Sequence, residues 1–390
     1  MRTPAVPAHA HRPDIHAAAL AGLAASLAVL AAWLLAPAAA LASGAATSPT
    51  PPPSLLDLVT GWSFDLTVQV PVIASALAFV WAVRRVNARH PASPVPAART
   101  ITFLAGLAVV EYALQGPPDA WSEVLFSVHM IQHLLLMIVA APLLVASAPV
   151  TLALRVASPR ARTQWILPIL HSRLVRMLTN PLIASALFAG ILWVTHFTVI
   201  YELTLQDGLL HDAEHLAFLA AGLLFWWPML GRDPSPWRVS HPVRLVAMLF
   251  EMSQGAFLGI AIMNAGAPLY AYYANIHLGW ISTMADQQLA GAIMWGGGGV
   301  GFLIAGLVVF YDWMGAEEQA AARIDARLDR EARERLGGAI DPAASDRATI
   351  DPAATDPVAN GQAAIDPVPG AVTGPGKPGE GEPAGLRTGG

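Results

Sequence analysis

Two pairs of histidines stand four residues apart in the chain: His129 with His133, and His211 with His215. In a helix that spacing puts two imidazoles on one face, a turn apart, where both can reach the same metal ion. One further turn adds Met137 to the face of His129 and His133. A thioether beside two imidazoles suits Cu(I), a soft ion, whereas imidazoles alone serve Cu(II) or Zn(II) about as well. Glu214 adjoins His215 and has two readings. It orients an imidazole from behind, or it answers the positive end of a helix. Asp286, followed by Gln287 and Gln288, has the same two readings, orienting carboxylate or helix cap. There is no cysteine, so disulfides, thiolate metal sites and thiol nucleophiles are excluded.

The elements that must hold these side chains belong to a membrane. Only 13% of the 390 residues are charged and 55% are hydrophobic, against roughly 25% charged in soluble domains. A globular core cannot hide that much apolar surface; a lipid bilayer can. The net charge of −5 argues against nucleic acid as a partner. Seven apolar segments, over 65–83, 100–115, 124–148, 181–201, 211–230, 243–264 and 285–311, are long enough or nearly so to cross about 30 Å of hydrocarbon. They lack the alternation of a barrel, so the expected fold is an all-α polytopic bundle of about seven transmembrane helices over 65–313.

Residues 1–42 combine Arg2 and Arg12, an apolar run and an Ala-rich small-residue site, which reads as a signal peptide or, uncleaved, as an anchor helix. Residues 43–64 form a Pro/Ser linker. Loops one-to-two, three-to-four and five-to-six hold the arginines, among them Arg84, Arg155 and Arg232, while the alternate loops hold no Lys or Arg. The positive-inside rule then puts the arginine loops and the C-terminus in the cytoplasm, and the mature N-terminus outside a bacterial plasma membrane. A charged cytoplasmic helix is expected over 314–337, and a disordered Pro/Gly/Ala tail over 338–390.

With that orientation, His129, His133, His196, His211, His215 and His277 all sit at or near the outer face. His196 is a lesser ligand candidate than the two pairs, and Met130, Met263 and Met284 are nearby sources of sulfur. Glu251, Ser253 and Gln254 lie deeper in the sixth segment, where Glu251 reads either as neutral and hydrogen-bonded or as part of a proton path. No P-loop, GxSxG, HExxH or GxGxxG pattern occurs, and no enzyme activity is expected.

The same residues carry a resemblance. The run His129-Met130-Ile131-Gln132-His133-Leu134-Leu135-Leu136-Met137 with Ala141-Pro142, the run His211-Asp212-Ala213-Glu214-His215 leading to Trp226-Trp227-Pro228, and Ala285-Asp286-Gln287-Gln288 leading to Trp295 occur in one order. Together they resemble the motifs of the caa3-type cytochrome c oxidase assembly factors, the CtaG-like membrane family, over roughly 62–313. Asn180-Pro181 stands where that pattern has His-Pro. The resemblance implies a plasma-membrane protein that works with cytochrome c oxidase subunits and helps place copper in a haem-copper oxidase. Two other readings stay open: a b-type haem subunit ligated by facing histidines, and a copper or other metal permease with Glu251 on its path.

Overall fold

The structure, a computed structural model, describes residues 61–338 together with Pro52, Ser54 and Asp57, with side chains as far as Glu334. The signal peptide or anchor over 1–42, most of the linker and the tail beyond Gly338 lie outside the described residues.

Among the described residues every regular element is helical. Helix α1 spans Leu66–Arg89 and α2 spans Ala97–Gln115. Helix α3 opens as Phe126–Leu134, widens into a π-helical turn over Leu135–Ala140 and regains α form over Ala141–Ala146. Then come α4 (Pro181–His196), α5 (Gly208–Leu230), α6 (His241–Met263) and α7 (Thr283–Gly338). Short helices such as Pro149–Val156 and Val199–Thr204 lie in the connections.

Six of these helices are long and apolar enough to cross a membrane, and the chain fits a multi-pass membrane protein. Helix α4 is the exception, with 16 residues and therefore a rise of about 24 Å. The expected span 181–201 breaks after His196 because Thr198 turns its hydroxyl to the Ile200 N–H, 3.2 Å away, and starts a new short helix. Helix α7 departs from expectation the other way. It runs without a break through 313–314, since the Ala- and Glu-rich sequence there favours helix and contains no proline. From Arg323 the chain forms a separate compact unit, whose described part is an exposed helix with an Arg327–Glu331 pair at 2.8 Å.

Helix α1 shows what the bundle presents to its surroundings. Leu66, Val70, Ile73, Leu77 and Trp81 recur every three or four residues and are all exposed, while Phe79, Val83 and Val86 turn inward. An apolar outer stripe is what lipid, not water, solvates. Helix α3 is the hub. About two-thirds of its apolar window (67%) is buried, against 17–50% for the other spanning helices.

Two local devices fix α3. At its start Asp286 of α7 accepts hydrogen bonds from the Phe126 and Ser127 N–H groups, at 2.7 and 3.2 Å, so the cap is supplied by another helix. Lower down, Pro142 has no N–H, and the Ala141 N–H goes to the Leu136 carbonyl in the wide turn. The Met137 carbonyl takes the Trp226 indole N–H instead, at 2.8 Å, which ties α5 to α3 at the π turn. Gly222 lets α5 come this close, because a Cβ there would lie 2.8 Å from the Ala141 side chain.

Candidate metal centre

The hub helix and the start of α5 bring the two histidine pairs together. His129 and His133 face each other through their Nε2 atoms at 2.9 Å. The His211 and His215 rings are tilted at 49° with centroids 4.3 Å apart, and the His129 ring lies 5.1 Å from His211 and 6.2 Å from His215. Two overlapping sets of potential ligand atoms result, His129–His211–His215 and His129–His133–Glu214, each with its atoms within 4.8 Å of one another. His129 belongs to both. His129, His133, His215 and Glu214 are buried, and His211 is partly so.

The remaining candidates divide. His196 ends α4 beside the cluster, its ring 5.6 Å from that of His133, with Nε2 3.3 Å from the Met130 sulfur and Nδ1 on the Leu192 carbonyl. Met130 is thus a sulfur in contact with an imidazole of the group. The π turn begins at Leu135, so the regular α spacing no longer relates Met137 to His133, yet the two line one cavity. Asp286 acts through the backbone by capping the helix that carries His129 and His133. Gln287 ties the Leu269 N–H and the Ile262 carbonyl to α7. His277 is exposed and contacts the Asn275 carbonyl, apart from the cluster. Asn180, the departure from the His-Pro pattern, caps α4 by accepting from the Leu182 N–H at 3.0 Å.

The side chains that orient the cluster come from residues whose spacing announces no chemistry. Tyr273 donates its hydroxyl proton to the Ser122 carbonyl at 2.7 Å, so it can only accept from His129 Nδ1, 3.1 Å away. Burial holds the Tyr273 phenol well above its ordinary range, so that proton stays in place. His129 therefore carries its proton on Nδ1 and turns the Nε2 lone pair inward, free to accept a proton or a cation. Tyr201 covers the group, with its ring 5.1 Å from His129 and 5.3 Å from His196, and Phe218 stacks on His133 at 4.1 Å. The Tyr-rich run 270–273 in a loop free of Lys and Arg is the one sequence signal that could have pointed here. If the cluster holds a metal ion, Tyr273→Phe is expected to weaken its binding about 10–100-fold. Chelator-competition titration measures it, and unchanged affinity would remove Tyr273 from the site.

Both Glu214 carboxylate oxygens, His133 Nδ1, His211 Nε2 and His215 Nε2 are buried without a hydrogen-bond partner. The Thr204 hydroxyl beside Glu214 goes to the Tyr201 carbonyl at 2.8 Å. Glu214 stands 3.9 Å from His129 Nε2, too far for a hydrogen bond. Two ligands each about 2.0–2.2 Å from one ion can span such a gap. A buried carboxylate among imidazoles, unpaired on both oxygens, fits a cation in its midst.

Comparison with known proteins agrees with the motif order. The profile of a family described as cytochrome c oxidase caa3 assembly factor matches residues 77–316. Uncharacterized proteins of Mycobacterium bovis and Mycobacterium tuberculosis are each 30% identical over 288 residues, covering 72% of this chain and 43% of their own length. One of Mycobacterium leprae is 28% identical over 286 residues, covering 71% and 43%. The chain thus spans less than half the length of these curated relatives. No solved structure matches it.

Proposed function

The chain belongs to the cytochrome c oxidase caa3 assembly factor family, and from that premise we propose that it holds copper at the histidine cluster and passes it to a haem-copper oxidase. The observation that carries this reading is the buried Glu214 carboxylate, without a hydrogen-bond partner on either oxygen, in one cluster with His211 and His215, whose Nε2 atoms are also without one. His129, His133, His211 and His215 would hold the ion, with Glu214 as a carboxylate ligand or charge partner and His196 with Met130 alongside. Copper in the Cu(I) state suits a neutral imidazole set with a thioether at its edge. The role is that of a carrier, and no group here is asked to make or break a covalent bond.

The wider reading follows from charge. The arginine loops face the cytoplasm and the histidine end faces outward, with seven helices crossing a bacterial plasma membrane, α4 the short one, and the mature N-terminus outside. Outward-facing ligands can hand an ion to an oxidase subunit in the same bilayer. The haem alternative needs one axial imidazole on each side of the ring, and the four clustered histidines over-supply it.

The test is metal analysis with a visible spectrum on detergent-purified protein, wild type beside His129→Ala/His133→Ala. Stoichiometric copper that vanishes in the variant, with no Soret band, is the expected result. A Soret band would replace this reading with haem ligation. Folded wild-type protein with neither metal nor haem would leave the cluster a packing feature.

A further inference from the structure

Beneath the histidine cluster lies a second group of metal-competent side chains that the reading above does not use. A cavity of ≈ 20 Å³ lies among α3, α4, α6 and α7, and its lining includes His133, Met137, Glu251, Met252 and Met294. Glu251 stands ten residues into the 23-residue α6, near the middle of the span, and is fully buried. Neither of its oxygens has a hydrogen-bond partner, although Ser185 is its polar neighbour. His133 is the shared wall. Its Nε2 faces His129 at 2.9 Å, and its Nδ1, buried and unpartnered, is the nitrogen left for the other side.

Those observations select a ligand class. A carboxylate with both oxygens unpartnered in the middle of a bilayer is costly unless a cation or a proton joins it. The cavity admits one water-sized particle. The wall offers three thioethers, which bind hard cations such as Na⁺ or Mg²⁺ poorly and soft monovalent ions well. We infer that this cavity is a second, inner site for a soft monovalent cation of the Cu(I) class, lined by Met137, Met252, Met294 and Glu251. It rests on the copper reading for the identity of the ion, but its residues are distinct from the outer ligands except at His133. A chain built this way holds one ion at the outward cluster and one at mid-membrane, separated by a single imidazole.

The experiment uses Ag(I), a redox-inert probe of Cu(I) sites, on the full chain purified in detergent. Bound silver is counted after desalting in wild type, Met252→Leu/Met294→Leu, Glu251→Gln and His211→Ala/His215→Ala. Two ions are expected in wild type. The methionine pair keeps one and Glu251→Gln binds the inner ion at least tenfold more weakly, while the histidine pair keeps the inner ion alone. Leucine conserves the methionine volume, and the ion retained at the outer cluster reports that each inner variant is folded. Two ions in both the methionine and the Glu251 variants overturn the inner site. So does a single wild-type ion lost only with the histidines, which leaves the outer reading standing. A single ion lost only with the methionines supports the inner site and refutes the outer one. No silver in folded wild type overturns both.

Discussion

In cells that depend on this chain for oxidase assembly, His129→Ala/His133→Ala is expected to cut oxidase copper content and cytochrome c oxidase activity by an order of magnitude or more. The reason is the position of His129 in both overlapping ligand sets. Losing it with His133 removes the shared corner and leaves Glu214 facing only His211 and His215. Changes to groups that merely orient a ligand cost about 10–100-fold in affinity, so losing two ligands costs at least that. The measurement is copper per oxidase in purified membranes, with the variant's abundance checked in the same membranes. His211→Ala, at the partly exposed edge of the cluster, serves as a milder companion because less packing depends on it. An oxidase fully loaded with copper in the double variant would sink the delivery role, whatever the chain binds in detergent.

The second large effect is on stability and comes from a close crossing of α6 and α7. A Cβ on Gly291 would lie 2.5 Å from the Gly259 carbonyl oxygen and 2.7 Å from the Met263 nitrogen, and a Cβ on Gly259 would meet the Gly291 carbonyl oxygen at 2.5 Å. All three are backbone atoms and cannot rotate aside, so any side chain here drives the helices apart. Small residues at such crossings let membrane helices pack through their backbones. Gly291→Leu is therefore expected to cost about 3 kcal/mol or more, a fall of roughly 6–12 °C in unfolding midpoint for a body of this size. Gly299→Ala on the same helix is the control. A Cβ there meets nothing within 4 Å, and alanine favours helix by about 1 kcal/mol over glycine. Thermal unfolding in detergent compares the two, and equal midpoints would refute the account. Metal binding should fall with Gly291→Leu as well, because Asp286, five residues earlier in α7, caps the helix that holds His129 and His133.

How far the sequence reaches into this site can be followed residue by residue. The i, i+4 spacing placed His129 with His133 and His211 with His215 correctly on two helices, because that relation is local and needs only helical geometry. At Met137 the π turn and Pro142 change the local repeat, while Met137 and His133 still line one cavity. The expected fourth span runs on past His196, where Thr198 caps a new helix. Asp286 was legible as a cap, yet it caps α3 from α7, 160 residues away in sequence. Tyr273, which sets the His129 tautomer, and Tyr201, which roofs the cluster, carry no motif and come into reach only when the outer connections fold over the bundle.

By itself the sequence determined the solvent, the helical class and the identity of the candidate ligands. Apolar length, arginine placement and i, i+4 spacing are written along the chain and act over one helix at a time. Only the tertiary structure decided that the two histidine pairs converge, that Glu214 stands unpartnered among them and that Glu251 shares a cavity with three methionines. Those facts depend on which faces of α3, α5, α6 and α7 meet. That choice is made by close glycine crossings, an inter-helix cap and an indole on a freed carbonyl, contacts between residues far apart in sequence that no local spacing encodes.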